Sequence, residues 1–416
     1  MKSHFRWVVV FLLFIISMTN FIDRASISFA ISDIAKEFNF SNLEKGYILS
    51  AFGIGYLLTI LFGGILADRL GAHKVLTVAC ILWILATLSI GFAQSFIMLF
   101  LSRGFLGLAE GPNFPCVTKV IKDWLPLSER NLALSLSVVA VPLSLALSGP
   151  IVTSLMLGFN WRGMYFILAG LSLVFIFLWW FLFRDNPADS KQVLKEELSL
   201  ITADIHDSER APSDLNIMDI LKNETLIANN WGYFVYGFYL FFFMTWMPSY
   251  IKSKFDYSLS EIGWLTMIPW IFASILMVFA GWLSDYIYRK NKCFRLSRTY
   301  PLMFSQLIGG LSLIPLVFCQ QIEWFILCVS LSVGAVISVN PIYYSVNIDT
   351  AGNRAATSYG LMGLLLSLSG IIAPILAGWV VNLTGEFNAV LMIMFGLSLS
   401  SILIFWLFHN KNKMVM

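Results

Sequence analysis

Apolar runs of about 20 residues, each long enough as a helix to cross a hydrocarbon core of about 30 Å, recur along nearly the whole chain. In lipid the backbone must satisfy its own hydrogen bonds, so such runs have few structures open to them. Twelve can be counted. Residues 7–31, 44–67, 75–93, 96–120, 133–156 and 164–183 form a first half; residues 227–251, 262–284, 299–318, 324–346, 358–381 and 389–408 form a second. With 58% hydrophobic and 12% charged residues and a mean hydropathy of +0.79, the 416-residue chain lies outside the range of a soluble globular protein. The fold class expected is an all-α membrane protein, twelve transmembrane helices in two six-helix pseudo-symmetric bundles with both termini cytoplasmic.

Lys2 and Arg6 ahead of the first run imitate a secretory signal peptide. Apolar and small residues continue past Asp23 to Ile31, however, which reads as a retained first helix. The five cysteines form no CxxC, and four of them fall in or beside predicted helices, so neither a disulfide nor a metal site is expected, and no cofactor motif is present.

Basic residues orient the chain. With both termini in the cytoplasm, twenty of the 27 Lys and Arg fall in inner segments, Lys36, Lys45, Arg162, Lys252 and Lys254 in outer loops, and Arg24 and Arg103 inside helices. The net charge of +3 therefore expresses orientation and no nucleic-acid partner. The short termini and loops suit a multi-pass protein of a bacterial cell inner membrane, surrounded by the lipid bilayer and acting as a monomer.

Residues 1–185 and 226–416 would be the bundles, and 186–225 a central cytoplasmic loop dense in charge, including "DSKQVLKEELSLITADIHDSER". Leu194, Leu198, Ile201 and Ile205 recur there at helical spacing and predict a short amphipathic helix within a tether. The halves repeat weakly. "GGILADRLGAHKVL" after the second run answers "AGWLSDYIYRKNKCFRL" after the eighth, with Asp68 and Asp285 in matching places, and Gly149-Pro150 answers Ala373-Pro374. Duplicated six-helix halves imply a transporter with its site between them.

Charges stand where lipid forbids them. Each of Asp23, Arg24, Arg103 and Glu110 would cost roughly 2.5–3.5 kcal/mol near the bilayer centre unless paired. Arg103 and Glu110, seven apart, share a face of the fourth helix, with Gly107 between them leaving space. Asn20, Arg24 and Ser28 form a stripe on the first helix, with Asp23 at its edge. Adjacent residues do not face each other on a helix, so Asp23 and Arg24 are expected to pair across to Arg103 and Glu110. The four charges sum to zero when ionised. Protonating either carboxylate frees an arginine, so proton and anion each favour the other's binding, and arginine's planar fork suits a carboxylate. A packing lock between two helices is the plainer alternative, although apolar packing would serve that purpose more cheaply.

The Asp68 loop with its repeat resembles the loop motif of the major facilitator superfamily, departing from it at Ala72 and His73 and leaving Lys74 as the nearby cation. Within that superfamily, "RGFLGLAEGPNFP" followed by "KDWLPLSER" resembles the anion:cation symporter family of sugar-acid, hexuronate and sialic-acid carriers. So do "FIDRASISFA" and "GYILSAFGIGYLLTILFGGILADRLG". The resemblance implies proton-coupled uptake of a small organic anion by alternating access, with no enzymatic activity. It assigns Asp23 and Glu110 to protonation, Arg24, Arg103 and Tyr56 to the substrate, and Asp68, Arg69, Lys74 and Asp285 to a conformational latch; Asn20, on the same stripe as Arg24, is a further substrate candidate. Val141, Gly363 and Ser367 stand where sugar-acid carriers often place amides, which argues against a hexonate.

Tyr233, Tyr236, Trp246, Asn340 and Tyr344 are the second half's candidate contacts. Asp123, Glu129 and Arg130 are expected in loop ion pairs, and Asp349 with Arg354 in a latch of the inner face. A drug or metabolite exporter driven by protons, whose fifth helix "LALSGPIVTS" only partly matches here, and a sodium-coupled or uniport carrier remain as alternatives.

Overall fold

The computed structural model describes residues 4–202, 217–351 and 355–409. These form sixteen α-helices: α1 (Phe5–Phe38), α2 (Asn42–Leu70), α3 (Ala72–Gly91), α4 (Phe96–Glu110), α5 (Asn113–Trp124), α6 (Leu127–Leu182), α7 (Lys195–Thr202), α8 (Ile217–Lys222), α9 (Glu224–Lys254), α10 (Leu259–Asn291), α11 (Tyr300–Leu311), α12 (Leu313–Phe318), α13 (Ile322–Ser338), α14 (Asn340–Ala351), α15 (Ala355–Thr384) and α16 (Asn388–Phe408). No strand occurs among the described residues. Nine helices among them are long and apolar enough to cross a membrane, or ten if the bent α2 counts as one span.

The helix ends have local chemical causes. Ser95 caps α4 by accepting from Met98 N at 3.3 Å, Asn223 caps α9 by accepting from Leu226 N at 3.0 Å, and Ser258 and Glu261 form a reciprocal capping box on α10. Breaks separate the observed elements from the apolar runs. The fourth run is interrupted at Gly111-Pro112, which gives the 15-residue α4 and the 12-residue α5. The fifth and sixth runs are joined in α6 with one non-helical residue, Asn160, at φ 55°. Its Oδ1 accepts from the backbone amides of Arg162 (2.9 Å) and Gly163 (3.1 Å), so the side chain that ends one stretch caps the next.

Two compact units divide the chain at other places than the sequence halves. The first comprises residues 1–24, 51–144 and 155–211; the second comprises 25–50, 145–154 and 212–416. In the first unit, α2 and α4 meet along a glycine seam. A Cβ on Gly55 would strike Gly104 O and Leu108 N, and one on Gly107 would strike Phe52 O and Tyr56 N. Only small residues allow backbones this close. At one end of the unit Trp179 stacks on Phe183 with ring centroids 4.0 Å apart, and Trp124 lies 5.6 Å from the same Phe183.

Part of the central loop is folded onto this unit rather than left as a tether. Glu197 of α7, 3% exposed, accepts from the backbone amides of Phe5 and Arg6 at 3.2 and 3.0 Å and from the Arg6 guanidinium at 3.0 Å. Arg6 also grips Glu129 through two bonds of 2.8 and 3.0 Å. Of the predicted amphipathic stripe, Ile201 is buried, Leu198 half-buried and Leu194 exposed, while Ile205 lies outside the described residues.

In the second unit α9 is buried along most of its length and packs against α15 and α16. The ends of α1 and α2 and a short piece of α6 belong here because glycines let them in. A Cβ on Gly46 would meet Pro374 O at 2.8 Å, and one on Gly149 would meet Thr266 Oγ1 at 2.7 Å. Asp33 and Lys252 pair nearby at 3.6 Å.

Candidate functional site

All four intramembrane charges lie in the first unit and are buried: Asp23 at 0%, Arg24 at 5%, Arg103 at 1% and Glu110 at 1% exposure. Helix α1 carries Asn20, Asp23 and Arg24, and α4 carries Arg103 and Glu110. The glycine seam that holds α4 against α2 brings Phe52 and Tyr56 into the same layer.

The expected ion pair between Arg24 and Glu110 forms. Arg24 donates to Glu110 Oε2 from Nη2 at 3.0 Å and from Nε at 3.3 Å, and to Asn20 Oδ1 at 3.1 Å. Asp23 has neutral donors beside it. Its Oδ2 accepts from the indole of Trp83 and from Ser172 at 3.4 Å. Arg103 donates from Nη2 to the backbone carbonyl of Arg24 at 3.4 Å, and its Nε and Nη1 have no hydrogen-bond partner among the described residues. A buried guanidinium with two unused donors is costly unless something else takes them. A carboxylate or sulfonate has the geometry to do so.

Aromatic faces line this charged layer. The Arg24 guanidinium lies 4.3 Å from the centroids of Phe21 and Phe52 and 5.0 Å from that of Tyr56, and Arg103 lies 5.5 Å from Phe52. Such contacts favour a cation in a low-dielectric site. Phe52 is shared by both arginines and stacks on half-buried Tyr56 at 5.6 Å. Sequence reading found Tyr56 and Asn20 but missed Phe21, Phe52, Trp83 and Ser172. A signal existed for Trp83: it sits mid-helix, away from the membrane interface where tryptophan is usually found, and is 4% exposed.

The latch residues are only partly brought together. Asp68 meets Lys119 at 3.7 Å, and Lys119 also pairs with Asp123 at 3.2 Å. Arg69 and Lys74 are exposed and form no ion pair among the described residues. The loop is held by Asp185 instead, which accepts from His73 N at 2.8 Å at the start of α3 and crowds Gly71. The equivalent place in the second unit is tighter. Arg298, 5% exposed, donates to Asp285 at 2.9 Å, to Asp349 at 3.3 Å and to Ser284 at 2.6 Å. Asp349 therefore pairs with Arg298; its expected partner Arg354 lies outside the described residues. Glu129 pairs with Arg6, which holds its carboxyl below the usual carboxylate range, and Arg130 donates to the Leu125 carbonyl.

In the second unit, the candidate contacts of the second half sit in a hydroxyl network. Tyr233 and Tyr344 meet at 3.4 Å, Tyr344 and Tyr359 at 3.2 Å, and Asn340 donates to Tyr236 at 2.7 Å. Trp246 differs, spending its indole on the Pro374 carbonyl at 3.3 Å and packing on Phe387. Ser367 donates to the Gly363 carbonyl at 3.0 Å within its own helix, so it does not replace an amide at that place. No group of three or more His, Cys, Asp or Glu among the described residues is arranged to hold a metal ion.

The model of the Major Facilitator Superfamily matches residues 13–374 and 232–415. A hexuronate transporter of Bacillus subtilis is 30% identical over 398 residues, covering 94% of this chain and 91% of that protein. A probable sulfoacetate transporter of Cupriavidus necator is 30% identical over 374 residues, covering 90% and 86%. A probable galactarate/D-glucarate transporter of Escherichia coli is 28% identical over 411 residues, covering 94% and 90%. Among solved structures, a bacterial homologue of the human lysosomal transporter Spinster, in an inward-facing and occupied conformation, is similar with a TM-score of 0.75. It shares 17% identity over 98% of this chain and 95% of that one, a likeness of fold. With the paired charges of α1 and α4 and the repeated aspartate loops, the family match over nearly the whole length makes this chain a member of the Major Facilitator Superfamily, a transporter and not an enzyme.

Proposed function

We propose that the chain takes up a small organic anion together with protons by alternating access, as a multi-pass monomer of the bacterial inner membrane with both termini cytoplasmic. The observation that carries this reading is Arg103: buried, with two donors unmatched, beside an Arg24 whose charge is cancelled by Glu110. Protonation of Glu110 removes its attraction for Arg24 and leaves two adjacent guanidinium groups for an anion. Binding the anion first raises the cost of losing that proton by the same free energy, and this reciprocity is symport. Asp23 is the second protonation candidate, a buried carboxylate that accepts hydrogen bonds from Trp83 and Ser172.

The relatives named for hexuronate, galactarate/D-glucarate and sulfoacetate support a substrate carrying a carboxylate. Val141, Gly363 and Ser367 offer few partners for a row of hydroxyls, which favours a short, hydroxyl-poor acid such as sulfoacetate over a hexonate. The test is uptake of labelled sulfoacetate, glucuronate and glucarate into proteoliposomes with and without an inward proton gradient. Gradient-driven uptake of the short acid that is lost in Glu110→Gln, while that variant retains counterflow exchange, is the expected result. Uptake by Glu110→Gln that stays fully gradient-driven refutes the coupling role of Glu110.

A further inference from the structure

Far in sequence from the buried charges and wholly within the second unit, α10, α11, α13 and α14 enclose an apolar groove of about 300 Å³. Helix α10 lines it with Phe272, Leu276, Ala280 and Ser284, one every four residues along a single face. From Phe272 to Ser284 that face runs about 18 Å at 1.5 Å per residue, close to the depth of one hydrocarbon leaflet, about 15 Å. Phe279 and Phe304 form walls and remain 53% and 60% exposed, so the groove opens sideways towards lipid.

The groove offers nothing to a polar ligand. Its three serines spend their hydroxyls on backbone carbonyls: Ser284 on Ser297, Ser305 on Leu302 and Ser338 on Ala335, at 2.7, 2.8 and 3.0 Å. Its mouth differs sharply from its floor. Groove residues Ser284 and Pro301 flank a connection that carries exposed Arg289, Lys290, Lys292 and Arg295. The one acid in that connection, Asp285, is taken by buried Arg298. The matching loop of the first unit has Arg69 and Lys74 and no such cluster. An alkyl slot as deep as a leaflet, two of whose lining residues are joined by a connection with four exposed cations, matches one molecule of the surrounding solvent: an anionic phospholipid with one acyl chain inserted.

We propose that this groove binds an anionic glycerophospholipid, its acyl chain lying along α10 and its headgroup held by the cations of residues 289–295. That the leaflet is the cytoplasmic one rests on the orientation proposed above; the binding itself does not.

Native mass spectrometry of the full chain in mild detergent, titrated with dioleoyl phosphatidylglycerol or dioleoyl phosphatidylcholine, tests this. One saturable phosphatidylglycerol is expected, bound more tightly than phosphatidylcholine. The Arg289→Gln/Arg295→Gln pair, whose side chains are exposed at the end of α10 and just after it, should weaken phosphatidylglycerol about tenfold and leave phosphatidylcholine unchanged. Ala335→Phe, which fills the slot, should abolish the saturable step, and Ala280→Leu should weaken it. Equal affinity of the wild type for both lipids, stepwise binding without saturation as in a bulk annulus, or wild-type retention by the charge pair each overturns the proposal. None of these readouts depends on transport, so failure here leaves the reading of Arg103 and Glu110 standing.

Discussion

Asp23 and Arg24 are neighbours in the chain and are stabilised in different ways. Arg24 has a full countercharge in Glu110 and three aromatic faces around its guanidinium, and Asp23 accepts from the neutral donors Trp83 and Ser172. Trp83→Phe keeps an aromatic ring and removes the donor, and should cost about 1–3 kcal/mol, the range for leaving a buried polar group short of a partner. A double-mutant cycle with Asp23→Leu, read from denaturant unfolding in detergent, separates this from packing. If Trp83→Phe costs as much in the Asp23→Leu background as in the wild type, the indole is only filling space. The sequence made all four charged residues legible, because an ionisable group in an apolar run stands out by its cost. It marked Trp83 only by its mid-helix position and Phe52 not at all, since aromatic side chains are common in membrane helices and only tertiary contact distinguishes a donor or a cation's platform from packing.

Glycine governs the elements. Gly107 reads in sequence as a gap on the face between Arg103 and Glu110, but its structural effect lies on α2, whose Phe52 carbonyl and Tyr56 amide occupy the volume a Cβ would need. Gly107→Ala should therefore push α2 and α4 apart and cost about 1–3 kcal/mol or more. Gly396→Ala in α16, where nothing lies within 4 Å of the added carbon, should be neutral or stabilising by up to about 1 kcal/mol. Thermal unfolding of the two variants side by side checks this, and equal shifts would remove the seam from the explanation. The all-helical, membrane-spanning character was readable from hydropathy alone, because lipid imposes the pattern. The breaks at Asn160 and Gly111-Pro112 and the folding of α7 onto Arg6 were not. They depend on a side chain capping its own backbone and on a carboxylate meeting orphan amides 191 residues away.

At the scale of the molecule, the compact units are bounded at other places than the sequence halves, with residues 25–50 and 145–154 in the second unit. The contacts responsible, Gly46 against Pro374 and Gly149 against Thr266, are made by absent side chains, which no hydropathy pattern records. The orientation proposed from the basic residues can be tested with cysteines already present. Cys293 is exposed just before the apolar stretch Arg295–Phe318, and half-buried Cys319 follows it directly. Those 24 residues rise about 36 Å as helix, more than the hydrocarbon core of about 30 Å, so the two thiols belong on opposite sides. Because Arg289, Lys290, Lys292 and Arg295 surround Cys293, its side should be the cytoplasm. In right-side-out vesicles, a version keeping only Cys293 should resist a membrane-impermeant maleimide until the membrane is permeabilised. A version keeping only Cys319 should react without permeabilisation, and labelling of Cys293 in intact vesicles would invert the topology and move the lipid groove to the outer leaflet.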